Sequence, residues 1–285
     1  MKCFLSIVLL VVAVLTCCVK SEDQTVISEI YSLDGDFDKI RASAHIQFEL
    51  THVTSEPSVT IETEQWVHAN RYITVSTRPN DRLDIKLTNG ITYPAIKVYV
   101  NYRTPLVSLE IDGASSMRST NVVFSNPSLP LNLAYSGTGT VTLELQHASN
   151  IDVAMSGTGR LTLSGRVQGD GQLMFSGTGE LNTFYCPMKS VNIQMSGTGF
   201  AYVYGVEGVH AILSGTGTIC YRGPLLSQII SGPGSIRECI PEKTTEGPAQ
   251  TTKESEHSSS ESGQIMSRNQ QLMMILTTTI VFLFF

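Results

Sequence analysis

Leu131-Asn132-Leu133-Ala134-Tyr135-Ser136-Gly137-Thr138-Gly139-Thr140-Val141-Thr142-Leu143 is a pair of alternating runs bent around two glycines. Leu131, Leu133 and Tyr135 fall on one side of the chain, and Val141 and Leu143 resume the alternation after the bend. Period two marks a strand with one buried face. The bend then returns as Ser156-Gly157-Thr158-Gly159, Ser176-Gly177-Thr178-Gly179, Ser196-Gly197-Thr198-Gly199 and Ser214-Gly215-Thr216-Gly217, and residues 231–234 read Ser-Gly-Pro-Gly. Successive serines are 20, 20, 20, 18 and 17 residues apart. A fixed period of this size is the signature of a solenoid, whose units bury their apolar faces only by stacking on one another.

Each unit carries at least two strands around a corner. Two glycines flanking one residue permit positive φ and a close backbone approach that a Cβ would obstruct. The corner serines and threonines are placed to hydrogen-bond locally or to the next coil. At a strand spacing of about 4.8 Å, the six corners form a ladder on the order of 24 Å long. A helical reading fails, because Gly and β-branched residues abound and no apolar spacing of three and four persists. The asparagine-punctuated pattern of leucine-rich repeats is missing, as are the Asp ligands of calcium-binding nonapeptide rolls. The expected fold is all-β, a parallel β-helix with coils of about 17 to 20 residues; a β-sandwich is the competing all-β arrangement.

Upstream, the runs Ile46/Phe48/Leu50, Val59/Ile61, Leu83/Ile85/Leu87 and Ile96/Val98/Val100 alternate too, separated by turn residues at Glu56-Pro57, 78–81 and Asn89-Gly90. Residues 33–111 therefore read as irregular strand-rich coils with no convincing helix, and 112–240 as the regular coils. Leu109-Glu110-Ile111-Asp112-Gly113-Ala114-Ser115 resembles a corner one coil early, with Gly113 in the first glycine's place. Together with Phe37-Asp38-Lys39-Ile40, Val59-Thr60-Ile61-Glu62 and Arg82-Leu83-Asp84-Ile85, these corners make the chain resemble the head GIN domain family, labelled auto-transporter adhesins, over about residues 33–239. The resemblance implies a right-handed β-helix that is secreted or surface-attached. It supplies no catalytic or ligand motif, and its bacterial members lack this chain's tail.

The two ends read as address signals. Lys2 followed by the apolar run Phe4–Leu15 and small residues is a secretory signal peptide, residues 1–20, too short to span a bilayer. Residues 241–262 are mostly Ser, Thr, Glu, Lys and Pro with almost nothing apolar, the composition of a disordered stalk with sites for O-glycosylation. Residues 263–285 place a polar spacer before the apolar Leu272–Phe285, the pattern of a GPI-attachment signal that is removed, with Ser258 or Ser262 as the lipidated residue. These fourteen residues reach about 21 Å against a hydrocarbon core of about 30 Å, which disfavours a spanning helix. Of the six cysteines, Cys3, Cys17 and Cys18 depart with the signal, leaving Cys186, Cys220 and Cys239. Strand parity puts Cys220 and Cys239 outward on consecutive coils, so these two are expected to pair and Cys186 to stay free; three reduced thiols are the alternative.

Catalytic chemistry finds little support. The acids Glu144, Asp152, Asp170, Glu180, Glu207 and Glu238 occupy different places in their coils, and His45, His52, His68, His147, His210 and His257 lack metal-ligand spacing. Asp34, Asp36 and Asp38 alternate as a calcium cluster would, but without the glycine and distal Glu of an EF-hand loop; a solvated edge is the plainer reading. The threonine file Thr138, Thr158, Thr178, Thr198 and Thr216 invites comparison with ice-binding ladders, yet Arg160, Glu180 and Phe200 interrupt the second rank. A net charge of −6 with no basic cluster gives nucleic acid nothing to hold. Trp66, Tyr93, Tyr99 and Tyr102 suit a sugar or protein surface, or ordinary cross-strand packing.

The sequence thus leads to a GPI-anchored protein on the outer face of the plasma membrane, recognising an extracellular glycan or protein without catalysis and without a cofactor or metal. A carbohydrate-active β-helix enzyme and, behind it, an ice-binding protein are the alternatives.

Overall fold

The computed structural model describes residues 25–239, except 34, 44, 79 and 80 and the side chains of 78 and 147. The signal, stalk and lipidation readings at 1–20, 241–262, Ser258 and Ser262 lie outside the described residues. Strands run β1 Val26–Ser32, β2 Lys39–Ser43, β3 Gln47–His52, β4 Ser58–Glu64, β5 Ile73–Arg78, β6 Arg82–Leu87, β7 Lys97–Tyr102, β8 Ser108–Gly113, β9 Ser116–Ser119 and β10 Val123–Phe124, with one helix, α1 Gln65–Ala69. The repeats supply β11 Leu131–Gly137, β12 Thr140–Ala148, β13 Ile151–Gly157, β14 Arg160–Val167, β15 Gly171–Gly177, β16 Glu180–Tyr185, β17 Met188–Gly197, β18 Phe200–Gly215, β19 Thr218–Arg222, β20 Leu225–Ser231 and β21 Ser235–Glu238.

These strands form a β-solenoid with two long, largely parallel sheets. Sheet B stacks β6, β2, β8, β11, β13, β15, β17, the second half of β18 and β20. Sheet A stacks β7, β3, β9, β12, β14, β16, the first part of β18, β19 and β21. The core fills the space between them. In β11, Leu131, Leu133 and Tyr135 are buried while Asn132, Ala134 and Ser136 are exposed, and β13 and β15 bury the same alternate positions. Each aliphatic removed from water contributes about 1.5–3 kcal/mol, and the coils gain it only in company.

Both corner glycines admit close approach of the preceding coil's backbone, and the second also makes room for core side chains. At the first glycine, neighbouring coils come so close that a Cβ on Gly157 would overlap the carbonyl oxygen of Gly137, and φ there is +117°. That carbonyl accepts the amides of both Thr158 and Gly159 at 3.0 Å, and the carbonyls of Gly157, Gly177 and Gly197 repeat the arrangement one coil on. The second glycine makes room for the core. A Cβ on Gly159 would strike the Tyr135 hydroxyl, one on Gly199 would lie 2.6 Å from Phe175 Cζ, and one on Gly234 would lie 2.7 Å from Leu213 Cδ2. In each case the side chain just before one coil's serine projects beneath the second glycine of the next. Gly113 stands in register with Gly137, so the ladder begins a coil before the first full tetrapeptide.

At the N-terminal end the levels depart from chain order. The level formed by β6 and β7 lies outside β2 and β3, and the chain then passes back over the β2 and β3 level to start β8 on the far side of β2. The outer edges are closed by antiparallel strands: β4 and then β1 on sheet A, and β5 on sheet B. The helix α1, absent from the sequence reading, is a single turn burying only Val67. Five residues are too few to show a 3.6-residue period, and Arg71, at φ 53°, turns the chain back immediately after it.

Candidate functional site

The outward side chains of sheet B fall into three files, because parallel register places equivalent residues above one another. One runs from Asp112 through Ser136, Ser156, Ser176, Ser196 and Ser214 to Ser231. The middle file is Glu110, Ala134, Ala154, Met174, Gln194, Ile212 and Ile229. The third is Ser108, Asn132, Asp152, Gln172, Asn192, His210 and Ser227. Two adjoining shallow troughs of about 580 and 450 Å³ cover most of this face, a size suited to a ligand lying along the axis. Its acids sit at the N-terminal end, where Ser136 Oγ donates to Asp112 at 2.6 Å and Arg41 lies 3.4 Å from Glu110. The remainder is neutral apart from Asp152, and His210 Nδ1 meets Ser227 Oγ at 2.8 Å.

The corner threonines Thr138, Thr158, Thr178, Thr198 and Thr216 form an exposed file, not packed ones. Beside them Arg160 pairs with Glu180 at 3.1 Å, so the second rank is an ion pair followed by Phe200. The corner serines and threonines also make few of the side-chain bonds that their chemistry allows; the ladder is held by backbone amides.

The other polar groups are spent on structure. Asp36 receives Arg103 Nε and Nη2 at 3.1 and 2.9 Å while Arg103 Nη1 reaches Glu56, and Asp38 faces Lys39 at 3.4 Å. Asp34 lies outside the described residues, and among those described no group of three or more His, Cys, Asp or Glu is placed to hold a metal. On sheet A, Glu62 accepts Lys97 Nζ and the Tyr99 hydroxyl, each at 3.1 Å, and these bonds hold its carboxyl below the ordinary range. Such a carboxylate is a poor proton donor. His68 pairs with Glu29 at 2.7 Å, and His52 lies tilted against Tyr102 and Phe124.

Cys220 and Cys239 form a disulfide with Cα atoms 5.5 Å apart, tying the last coil to the one before. Cys186 is free and buried, and burial pushes its thiol up to about 12. A thiol so shielded is not a nucleophile.

The head GIN domain, described as "putative auto-transporter adhesin", matches residues 36–224. The chain belongs to this family. Among solved structures, an adhesin-described protein of Bacteroides fragilis is 19% identical with a TM-score of 0.65, over 75% of this chain and 97% of its own. One from Parabacteroides distasonis is 21% identical with a TM-score of 0.60, over 76% and 98%. A second protein of that organism, described as lipid binding, is 18% identical with a TM-score of 0.60, over 76% and 97%. These likenesses establish the shared solenoid. No curated protein matches the chain.

Sequence reasoning found the corner serines and the cysteine pair but missed the amide file of Asn132, Gln172 and Asn192. Its signal was available, since those residues recur on the same 20-residue step as the serines.

Proposed function

We propose that this protein is displayed on a cell surface and recognises an extracellular glycan or protein along the outer face of sheet B, with no bond made or broken. The observation that carries the reading is the register of the three outward files. A row of amides and hydroxyls beside a row that includes Met174 and Ile212 offers hydrogen bonds and apolar contact at a constant step. Membership of an adhesin-described family supports it. The display address rests on the sequence of the two ends: a signal peptide, a Ser/Thr stalk and GPI attachment at Ser258 or Ser262.

A glycan array and cell-binding assay with residues 21–240 tests the recognition. Met174→Arg, on an exposed position, is expected to abolish binding with an unchanged melting temperature. Binding that survives this change together with Asn192→Arg rules the face out, and turnover of any polysaccharide overturns the non-enzymatic reading. The anchor is tested by phospholipase C specific for phosphatidylinositol, which should release the protein from cells; retention after treatment refutes it.

A further inference from the structure

The two ends of the solenoid are finished differently. At the N-terminal end, α1 carries the chain from β4 of sheet A to β5 of sheet B and buries Val67. At the C-terminal end, among the described residues, β20 pairs with β18 alone and β21 with β19 alone, so each presents a row of unpaired N–H and C=O groups. The core is open there too. Leu225 stands over Val209, Ile230 over Leu213 and Ile236 over Ile219, and the three lower residues are fully buried. The three upper ones are not: Ile230 is 44% exposed, Leu225 and Ile236 are half-buried, and neither β20 nor β21 contains a buried residue.

This edge is unguarded. Natural sheets blunt an exposed edge with Lys, Pro or a covering segment. β20, Leu-Leu-Ser-Gln-Ile-Ile-Ser, carries no charge and no proline, and Leu226 and Ile229 on it are 57% and 61% exposed. Its one register shift, at Leu226, leaves Ser227 to Ser231 paired without interruption. The Cys220–Cys239 disulfide fastens this last coil to the one before, so the edge is held in shape without a cover. The residues that follow are poorly suited to cover it: 241–262 open on Pro241, which has no N–H to give a ladder, and are mostly Ser, Thr, Glu, Lys and Pro.

We propose that this end docks a second copy of the same chain, joined through β20 and β21 about a two-fold axis normal to the two sheets. That rotation reverses strand direction while keeping each sheet on its own side. It sets β20 against the other copy's β20 and β21 against its β21, both antiparallel, so one operation satisfies both open edges. Ile230 and Ile236 of each copy then cover those of the other, and the core continues across the junction. β20 brings no charge to repel its twin. Because both copies use the same surface, assembly stops at two. This interface is independent of the sheet B reading.

Sedimentation of the full chain over about a hundredfold range of concentration should show monomer and dimer in exchange, with a melting temperature that rises with concentration. Ile229→Lys brings like charges to the junction from both copies. Since the change enters twice, the dimer should weaken about a hundredfold and the melting temperature should no longer depend on concentration. Leu129→Lys, the same kind of change at a 50% exposed position before β11, should leave the dimer intact. Of Ser227→Cys, Ile229→Cys and Ser231→Cys, made singly, at least one should cross-link two copies under mild oxidation. A monomer at every concentration overturns the proposal, whether the β20 amides exchange freely or are protected by later residues of the same chain. So does association that survives Ile229→Lys, a series that continues past the dimer, or a dimer that none of the three cysteines cross-links.

Discussion

Replacing Gly157 by Ala places a methyl group where one coil's backbone meets the next. At φ +117° a non-glycine residue costs about 1–3 kcal/mol, and the Cβ displaces the Gly137 carbonyl, which accepts from Thr158 and Gly159. Two weakened backbone bonds add about 1 kcal/mol each, and the smaller entropy of an unfolded alanine chain offsets about 0.4–1 kcal/mol. The expected net loss is about 2–4 kcal/mol. The matched control is Gly90→Ala: φ is +81°, but nothing lies within 4 Å of the new Cβ, so only the conformational cost of about 1 kcal/mol applies. Urea unfolding followed by far-ultraviolet circular dichroism measures both. Because the methyl group pushes apart two stacked units at their shared interface, Gly157→Ala should also lower the m-value by uncoupling the coils on either side. If the two variants differ by less than about 1 kcal/mol, close coil-to-coil approach is not what the first glycine serves.

Reducing Cys220–Cys239, whose partners are 19 residues apart, should cost about 3 kcal/mol and raise amide exchange in β19 to β21 while β11 to β15 stay protected; uniform exchange would refute the local role. Tyr135→Phe removes the hydroxyl that donates to the Gly139 carbonyl at 2.6 Å and should cost about 1 kcal/mol in thermal unfolding. Cys186 should resist iodoacetamide until the chain unfolds. Its folded thiol, pushed up to about 12, keeps a proton that the unfolded thiol releases near about 8.5, so its contribution is full below that pH and declines as pH rises toward 12. Cys186→Ala should flatten that part of the stability profile, and identical slopes would show that another group is responsible.

The regular coils were legible because each repeats one local solution: alternate burial writes itself into Leu131, Leu133 and Tyr135, and the corner into two glycines. Even the shortened steps after Ser196 kept the serine and both glycines, so the corner serines stayed in register. The N-terminal levels were harder. Nothing in the spacing of Ile40, Leu83 and Leu109 says that β2 lies between β6 and β8, since insertion of one level between two others is decided by edges meeting in space. The helix α1 was hidden by its brevity. On the outer face of sheet B the serine file was visible as a motif, but the meaning of the residues between the buried ones required knowing that parallel register stacks them without offset. Trp66 and Tyr93 were noticed singly, and only the fold packs Tyr72 edge-on against both. Cys220 pairs with Cys239 but is itself buried at 3% exposure, because the final coil lies over it.

The displaced level of β6 and β7 gives the molecule a beginning that cannot be trimmed and an end that can. Deleting residues up to His52 would extract a storey from within the stack, leaving β6 and β8 facing one another across a void. Removing or duplicating a unit between Leu131 and Arg222 would merely change the height, since every storey there offers the same landing to its successor. Growth by tandem copying is therefore open on one side only, and length variants of this architecture should differ in their number of glycine-cornered storeys above an unchanged base.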